Sequence, residues 1–212
     1  MNRLIDITAH TMSIMLYPLF IPTYGMALFC YAFSQHVMPL PLVWTLVAII
    51  GTFVLTCMLP ISAIWILIRR GHVQDLEIAN AAQRTIPYLY TTMSFGFWCY
   101  LMISVLHAPS YIGCVCIGAT IAIGLISIIN RYWKISAHLT GTGGLFGGLM
   151  SYCVGIGALP TWGTICLWSG ISLALMYARI RLNAHTPAQV CAGWLLGIFC
   201  SFTPYLIYRY VF

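Results

Sequence analysis

Two polar stretches, Lys134-Ile135-Ser136-Ala137-His138 and the segment 178–189, hold the residues of this chain best suited to work on an anion. The second carries Arg179, Arg181, Asn183, His185 and Gln189. Each stretch pairs a cation with a histidine where an apolar run begins or ends, in a chain that is only 6% charged. Ionisable groups at membrane depth are costly, so they mark function more often than filler. Arginine presents a planar fork of donors that matches phosphate oxygens and stays charged when desolvated. Two histidines can divide a hydrolysis between them, one attacking phosphorus and the other protonating the leaving oxygen, because imidazole titrates near neutral pH. Ser136 and the backbone N–H groups that follow it, at the start of a helix, add donors for a phosphoryl group.

The elements that must bring these stretches together are apolar. Of 212 residues, 61% are hydrophobic, and the mean hydropathy is +0.94, against roughly 45–50% apolar content in soluble globular proteins. The expectation is an all-α, polytopic transmembrane bundle of six to seven spans, in the plasma or inner membrane. Runs long enough to cross ~30 Å of hydrocarbon lie at about 11–33, 42–68, 87–106, 111–129, a glycine-rich stretch that starts after His138, 165–178 and 188–208. Pro18, Pro22 and Gly25 predict a kink in the first. The gaps are too short for a separate soluble domain. The chain therefore reads as one unit over 1–212: an N-terminal helical hairpin over 1–70, a polar loop over 71–87 and a helical core over 88–212. Its mixed amino terminus, Met1-Asn2-Arg3-Leu4-Ile5-Asp6, reads as part of a retained helix, not as a cleaved leader.

If all seven runs cross, both polar stretches and the polar loop share one face. That face carries Arg3, Arg69, Arg70, Arg84, Arg131, Lys134, Arg179 and Arg181, and the other carries Arg209. The positive-inside rule then points to the cytoplasm, but cations that serve to bind an anion carry no topology signal, so the side on which the site lies stays open. The formal charge of +6 is scattered in ones and twos, which gives no support to nucleic-acid binding. All nine cysteines fall inside apolar runs and read as small buried hydrophobes, with no metal-ligand spacing. His10, His36, His72 and His107 read as structural or interfacial, and Asp75 and Glu77 as loop solvation or partners of neighbouring arginines. The glycines at 141, 143, 144, 147 and 148 remove bulk from the fifth run, which allows close helix approach.

The two stretches resemble the motifs of the type 2 phosphatidic acid phosphatases, a superfamily that includes the lipid phosphate phosphatases and is related to the vanadium haloperoxidases. Its third motif, Ser-Arg-x5-His-x3-Asp, is similar to 178–189, with Arg179 and His185 in place. Its second motif, Pro-Ser-Gly-His, resembles Ile135-Ser136-Ala137-His138. The resemblance implies that His185 is the nucleophile that forms a phosphohistidine, that His138 is the general acid and that Arg179 binds phosphate. Ala178 replaces the motif's serine, Ile135 its proline, Ala137 its glycine and Gln189 the aspartate that charges and orients the nucleophile. Glutamine can accept a hydrogen bond from a ring N–H but brings no negative charge. A slower enzyme is the expectation. For the first motif, Lys-x6-Arg-Pro, the chain offers Arg84 as anchor, with Glu77 at the lysine position and Thr85 at the proline. Lys134 or Arg131 would supply the missing cation.

The expected site is thus His185, His138 and Gln189 for the chemistry, with Arg179, Arg84, Lys134, Ser136 and Ala137 around the phosphate and no metal or other cofactor. The expected partner is a lipid phosphomonoester or pyrophosphate in the surrounding membrane lipid. A second reading is a catalytically weakened relative that binds lipid phosphates or scaffolds a membrane partner. A third, a transporter for an anionic solute, lacks visible inverted repeats.

Overall fold

The computed structural model describes residues 2–75, 78, 81–155 and 162–211. Every regular element among them is helical. In order these are α1 (Asn2–Met15), α2 (Ile21–His36), α3 (Leu42–Phe53), α4 (Leu59–Arg69), α5 (Thr85–Tyr100), α6 (Ser110–Ile129), α7 (Ala137–Gly155), α8 (Trp162–Arg181) and α9 (Pro187–Val211). A π-helical turn, Val54–Met58, joins α3 and α4 into one rod, Leu42–Arg69, of 28 residues. Pro60 explains the turn, since it has no N–H to give the carbonyl of Thr56 and the ring crowds the preceding turn. A second π turn, Leu101–Val105, extends α5.

Among the described residues, three helices are long and apolar enough to cross a membrane by length and composition: Leu42–Arg69, Ser110–Ile129 and Pro187–Tyr210. Leu42, Val43, Met93 and Phe199 are each well exposed, as lipid-facing side chains of such a protein would be. The first apolar run is not one kinked helix. It is broken over 16–20, around Pro18, into α1, of 14 residues, and α2, of 16 residues, which is close to the short end of what a span needs.

Small residues set the centre of the bundle. The most extensive helix pairing is α7 with α9, and α9 also packs along α6. A Cβ at Gly143 or Gly197 would run into the backbone of the facing helix at Trp194 or Thr140, and one at Gly118 would meet the carbonyl of Cys200. These backbones touch where a larger residue would hold them apart. On the other side Trp98 lies over Gly51 and donates its indole N–H to Thr52 Oγ1 at 2.9 Å. The resulting core joins Phe29, Trp98, Met102, Ile112 and Leu145. α1 packs on α8 and reaches across the bundle end that carries Arg181, whose Nε donates to Asp6 Oδ1 at 2.9 Å.

Candidate functional site

His185 owes its position to the way α8 ends. Asn183 adopts a left-handed backbone, φ 52°, which a residue with a short polar side chain tolerates better than most. The chain then folds back on the last turn, so that the carbonyl of Arg179 accepts from the N–H of Ala184 at 3.1 Å and of His185 at 3.4 Å. The six-residue separation of Arg179 and His185 is thus the span of one helix C-cap. Both side chains end up buried beside each other.

The next four residues start α9. Thr186 Oγ1 accepts from the N–H of Gln189 at 3.4 Å, and Gln189 Oε1 accepts from the N–H of Thr186 at 3.1 Å. This is a capping box, with Pro187 at the first helical position. Gln189 Oε1 also lies 3.2 Å from His185 Nδ1. Because that oxygen accepts from the Thr186 backbone, the amide orientation is settled, and His185 Nδ1 must be the donor. The lone pair of the neutral ring is then on Nε2. Burial, then the Arg179 and Lys134 cations, push the His185 pKa down to about 4, against a weaker upward pull from Gln189. The imidazole is neutral at pH 7 and able to act as a nucleophile.

The second stretch docks on the first. Ser136 N–H donates to the carbonyl of Gln189 at 3.3 Å. Gly193 admits this contact, since a Cβ there would stand 2.5 Å from the carbonyl oxygen of Ser136. His138 follows in the first turn of α7, its Nε2–H donating to the carbonyl of Ser13 in α1 at 3.2 Å and its ring set edge-on to Tyr17 at 5.8 Å between centroids. Arg84 arrives from the polar loop. Its Nε–H donates to the carbonyl of Ile78 at 2.7 Å, and Nη1 reaches Asn130 Oδ1 at 3.4 Å.

Arg84, His138, Arg179 and His185, each at most 8% exposed, line a single cavity of about 60 Å³ together with Tyr17, Tyr88, Thr91 and Ala137. A water needs about 10–15 Å³ measured this way, so the space suits one tetrahedral oxyanion or a few waters. No carboxylate stands among the described residues of its wall. Two buried arginines on this wall supply the charge and the donors that an anion would need.

No protein-family model, curated protein or solved structure matches this chain. The reading of the site therefore rests on its own geometry.

Of the residues singled out from the sequence, Arg84, Ala137, His138, Arg179 and His185 are brought to the cavity wall, and Gln189 stands directly behind His185. Lys134 is near enough to lower the His185 pKa but is not on the wall. Ser136 is fully buried with its Oγ unpartnered, and it too stands behind the wall. Glu77 lies outside the described residues. Among the described residues no group of three His, Cys, Asp or Glu side chains could hold a metal ion.

Tyr17, Tyr88 and Asn130 also belong to the site and lie outside the two polar stretches. Tyr88 could have been found, because it stands one helical turn after Arg84 and shares its face. Asn130 carries no such signal, since only the packing of α6 against α5 brings it to Arg84.

Proposed function

We propose that this protein is a membrane-embedded phosphohydrolase acting on a lipid phosphomonoester or pyrophosphate through a phosphohistidine. The observation that carries this reading is the single cavity into which three separate segments send the buried side chains of Arg84, His138, and Arg179 with His185, with no carboxylate on the described wall. Arg84 and Arg179 hold the phosphoryl oxygens and offset the charge that builds on them. His185 Nε2 attacks phosphorus, forming a P–N bond as the bond to the lipid oxygen breaks, and His138, whose Nε2–H stays on the carbonyl of Ser13, relays through Nδ1 to that oxygen the proton that the substrate's phosphate monoanion brings in. Water then attacks the phosphohistidine, His138 takes the proton from the water, and inorganic phosphate leaves. No step calls on a metal.

The bundle crosses the membrane seven times in this reading, with α3 and α4 as one crossing, and with α1 lying along the face that holds the site. Support comes from the break around Pro18, which turns α1 away from α2, and from the anchoring of α1 by Ser13 and Asp6 to site-end residues. A plasma or inner membrane location suits such a substrate.

Purified protein would be given a panel of lipid phosphates and pyrophosphates with chelator present. Phosphate release that disappears in His185→Ala is the expected result. No release from any substrate, with Gln189→Glu equally inert, would move the assignment to a lipid-phosphate-binding or scaffolding protein.

A further inference from the structure

A second cavity, of about 120 Å³, shares Pro18, Leu19, Ile123 and Ala137 with the phosphate cavity, so the two spaces adjoin across those four residues. Its lining is almost wholly apolar and comes from the middle of the bundle: Met26 and Phe29 of α2, Trp98 of α5, Val115 and Ala119 of α6 and Leu145 of α7. Along α6 it is lined from Ile126, beside the polar end, to Ile112, fourteen residues deeper. At ~1.5 Å per residue that is about 21 Å, most of the way through the hydrocarbon layer. A volume of about 120 Å³ drawn out over such a depth is a thin slot. Two hydrocarbon chains side by side do not fit.

We infer that this slot takes the hydrocarbon chain of the substrate, and that the substrate is a lipid phosphate with one chain, not a diacyl lipid. The inference rests on the phosphate reading of the neighbouring cavity. Polarity runs in the order such a molecule needs: two arginines at the mouth, then Ala137 and Leu19 at the junction, then an apolar passage. Its three threonine hydroxyls are already used within the protein, since Thr52 donates to Ala48, Thr56 to Thr52 and Thr140 to Ser136. An alkyl chain therefore leaves none of these three newly stranded. Leu125 and Ile128, on other faces of α6, point outward and belong to the bilayer-facing surface.

The probe is hexadecylphosphonate with a mid-chain diazirine, which cannot be hydrolysed, beside a two-chain phosphatidic acid phosphonate carrying the same group. Each is irradiated with the wild-type protein in nanodiscs and the labelled residues are mapped. The single-chain probe is expected to label α6 between Ile112 and Ala122 and α2 at Met26 or Phe29, with inorganic phosphate competing, while the two-chain probe labels the outer surface. Equal labelling of the slot by both, or labelling confined to Leu125, Ile128 and their neighbours, overturns the inference. Ala119→Phe should abolish slot labelling and lower kcat/KM for the single-chain substrate by about tenfold or more, the scale of a misfit in an apolar pocket, while a tail-less aryl phosphate is turned over as before. Should Ala119→Phe fail to fold, Val115→Ala, which only removes atoms, must keep the single-chain labelling and admit bulkier chains; if it admits none, the slot is not the chain's path. Slot labelling without hydrolysis of any phosphate would remove the phosphatase reading and leave the slot standing. Aryl phosphate hydrolysis without slot labelling would do the reverse.

Discussion

Gln189 holds His185 and caps α9 with the same oxygen: Oε1 takes the ring proton of Nδ1 at 3.2 Å and the backbone N–H of Thr186 at 3.1 Å. One side chain thus fixes the tautomer of His185 and the start of the helix that follows it. The length of glutamine serves both contacts, and what it lacks is charge.

Gln189→Glu keeps that length and adds the charge. A carboxylate beside Nδ1–H stabilises the imidazolium, so the His185 pKa should rise from about 4 and the developing charge during attack should be better compensated. The expected outcome is an acid limb of kcat/KM that moves to higher pH, with a kcat above wild type. Gln189→Asp should gain less, because the shorter chain gives up part of the capping box. Gln189→Ala should lose both contacts and cost roughly 1 kcal/mol in the cap alone. Full pH-rate profiles of the four proteins check this.

The same histidine makes a stability prediction. Its pKa in the folded protein, about 4, lies below the ordinary 6.5. The fold therefore binds fewer protons here than the unfolded chain does, and stability is fully present above pH 6.5 and declines as pH falls toward 4. His185→Asn should flatten that decline in a thermal-unfolding series across this window. Saturating phosphate should also flatten it, since a bound dianion favours the protonated ring.

Much of the site could be read from residue order, and the reasons are local. Arg179 and His185 are tied by one helix cap, and Ser136 and His138 by one helix start, so spacing along the chain carries their geometry. Arg84 could be found as a lone cation before an apolar run. Its partners could not, because Asn130 and the carbonyl of Ile78 meet it only through packing. Nor could hydropathy find the break around Pro18. A run of apolar residues looks the same whether it continues as a helix or turns, and here the turn brings Tyr17 and Ser13 to His138.

Asn183 tests the cap. Its φ of 52° suits glycine at least as well as asparagine, so Asn183→Gly should be near neutral. A β-branched residue meets a cost of about 1–2 kcal/mol in that conformation. Asn183→Val should lower thermal stability by that order and reduce kcat well beyond it, because His185 is two residues further on. Activity at a temperature where the variant is still folded separates the two effects.

Gly143 and Gly197 test the contact that joins the halves of the site. α7 carries His138 and α9 carries Gln189, and the two helices touch backbone to backbone at these glycines. Gly143→Ala should separate them and destabilise by roughly 1–3 kcal/mol, the usual scale of overpacking. Gly170, with open space around its Cβ position, is the control, and Gly170→Ala should be neutral or slightly stabilising. Thermal melts in detergent distinguish the pair.

Asn130→Ala should take from Arg84 one of its two hydrogen-bond partners among the described residues and loosen its hold on a phosphoryl group. KM for the lipid phosphate should rise several-fold with a smaller change in kcat, whereas Arg84→Ala should raise KM further and lower kcat. Steady-state kinetics on the two variants show whether Asn130 acts through Arg84, in which case the double variant is no worse than Arg84→Ala alone.

The central claim is that phosphorus passes through His185. Lipid substrate carrying a radiolabelled phosphate, mixed with enzyme and quenched within a turnover, should leave an acid-labile, base-stable label on the protein that maps to His185 and is absent from His185→Ala. Phosphate release that continues in His185→Ala at the wild-type rate, or a label mapping to any other residue, would contradict the account.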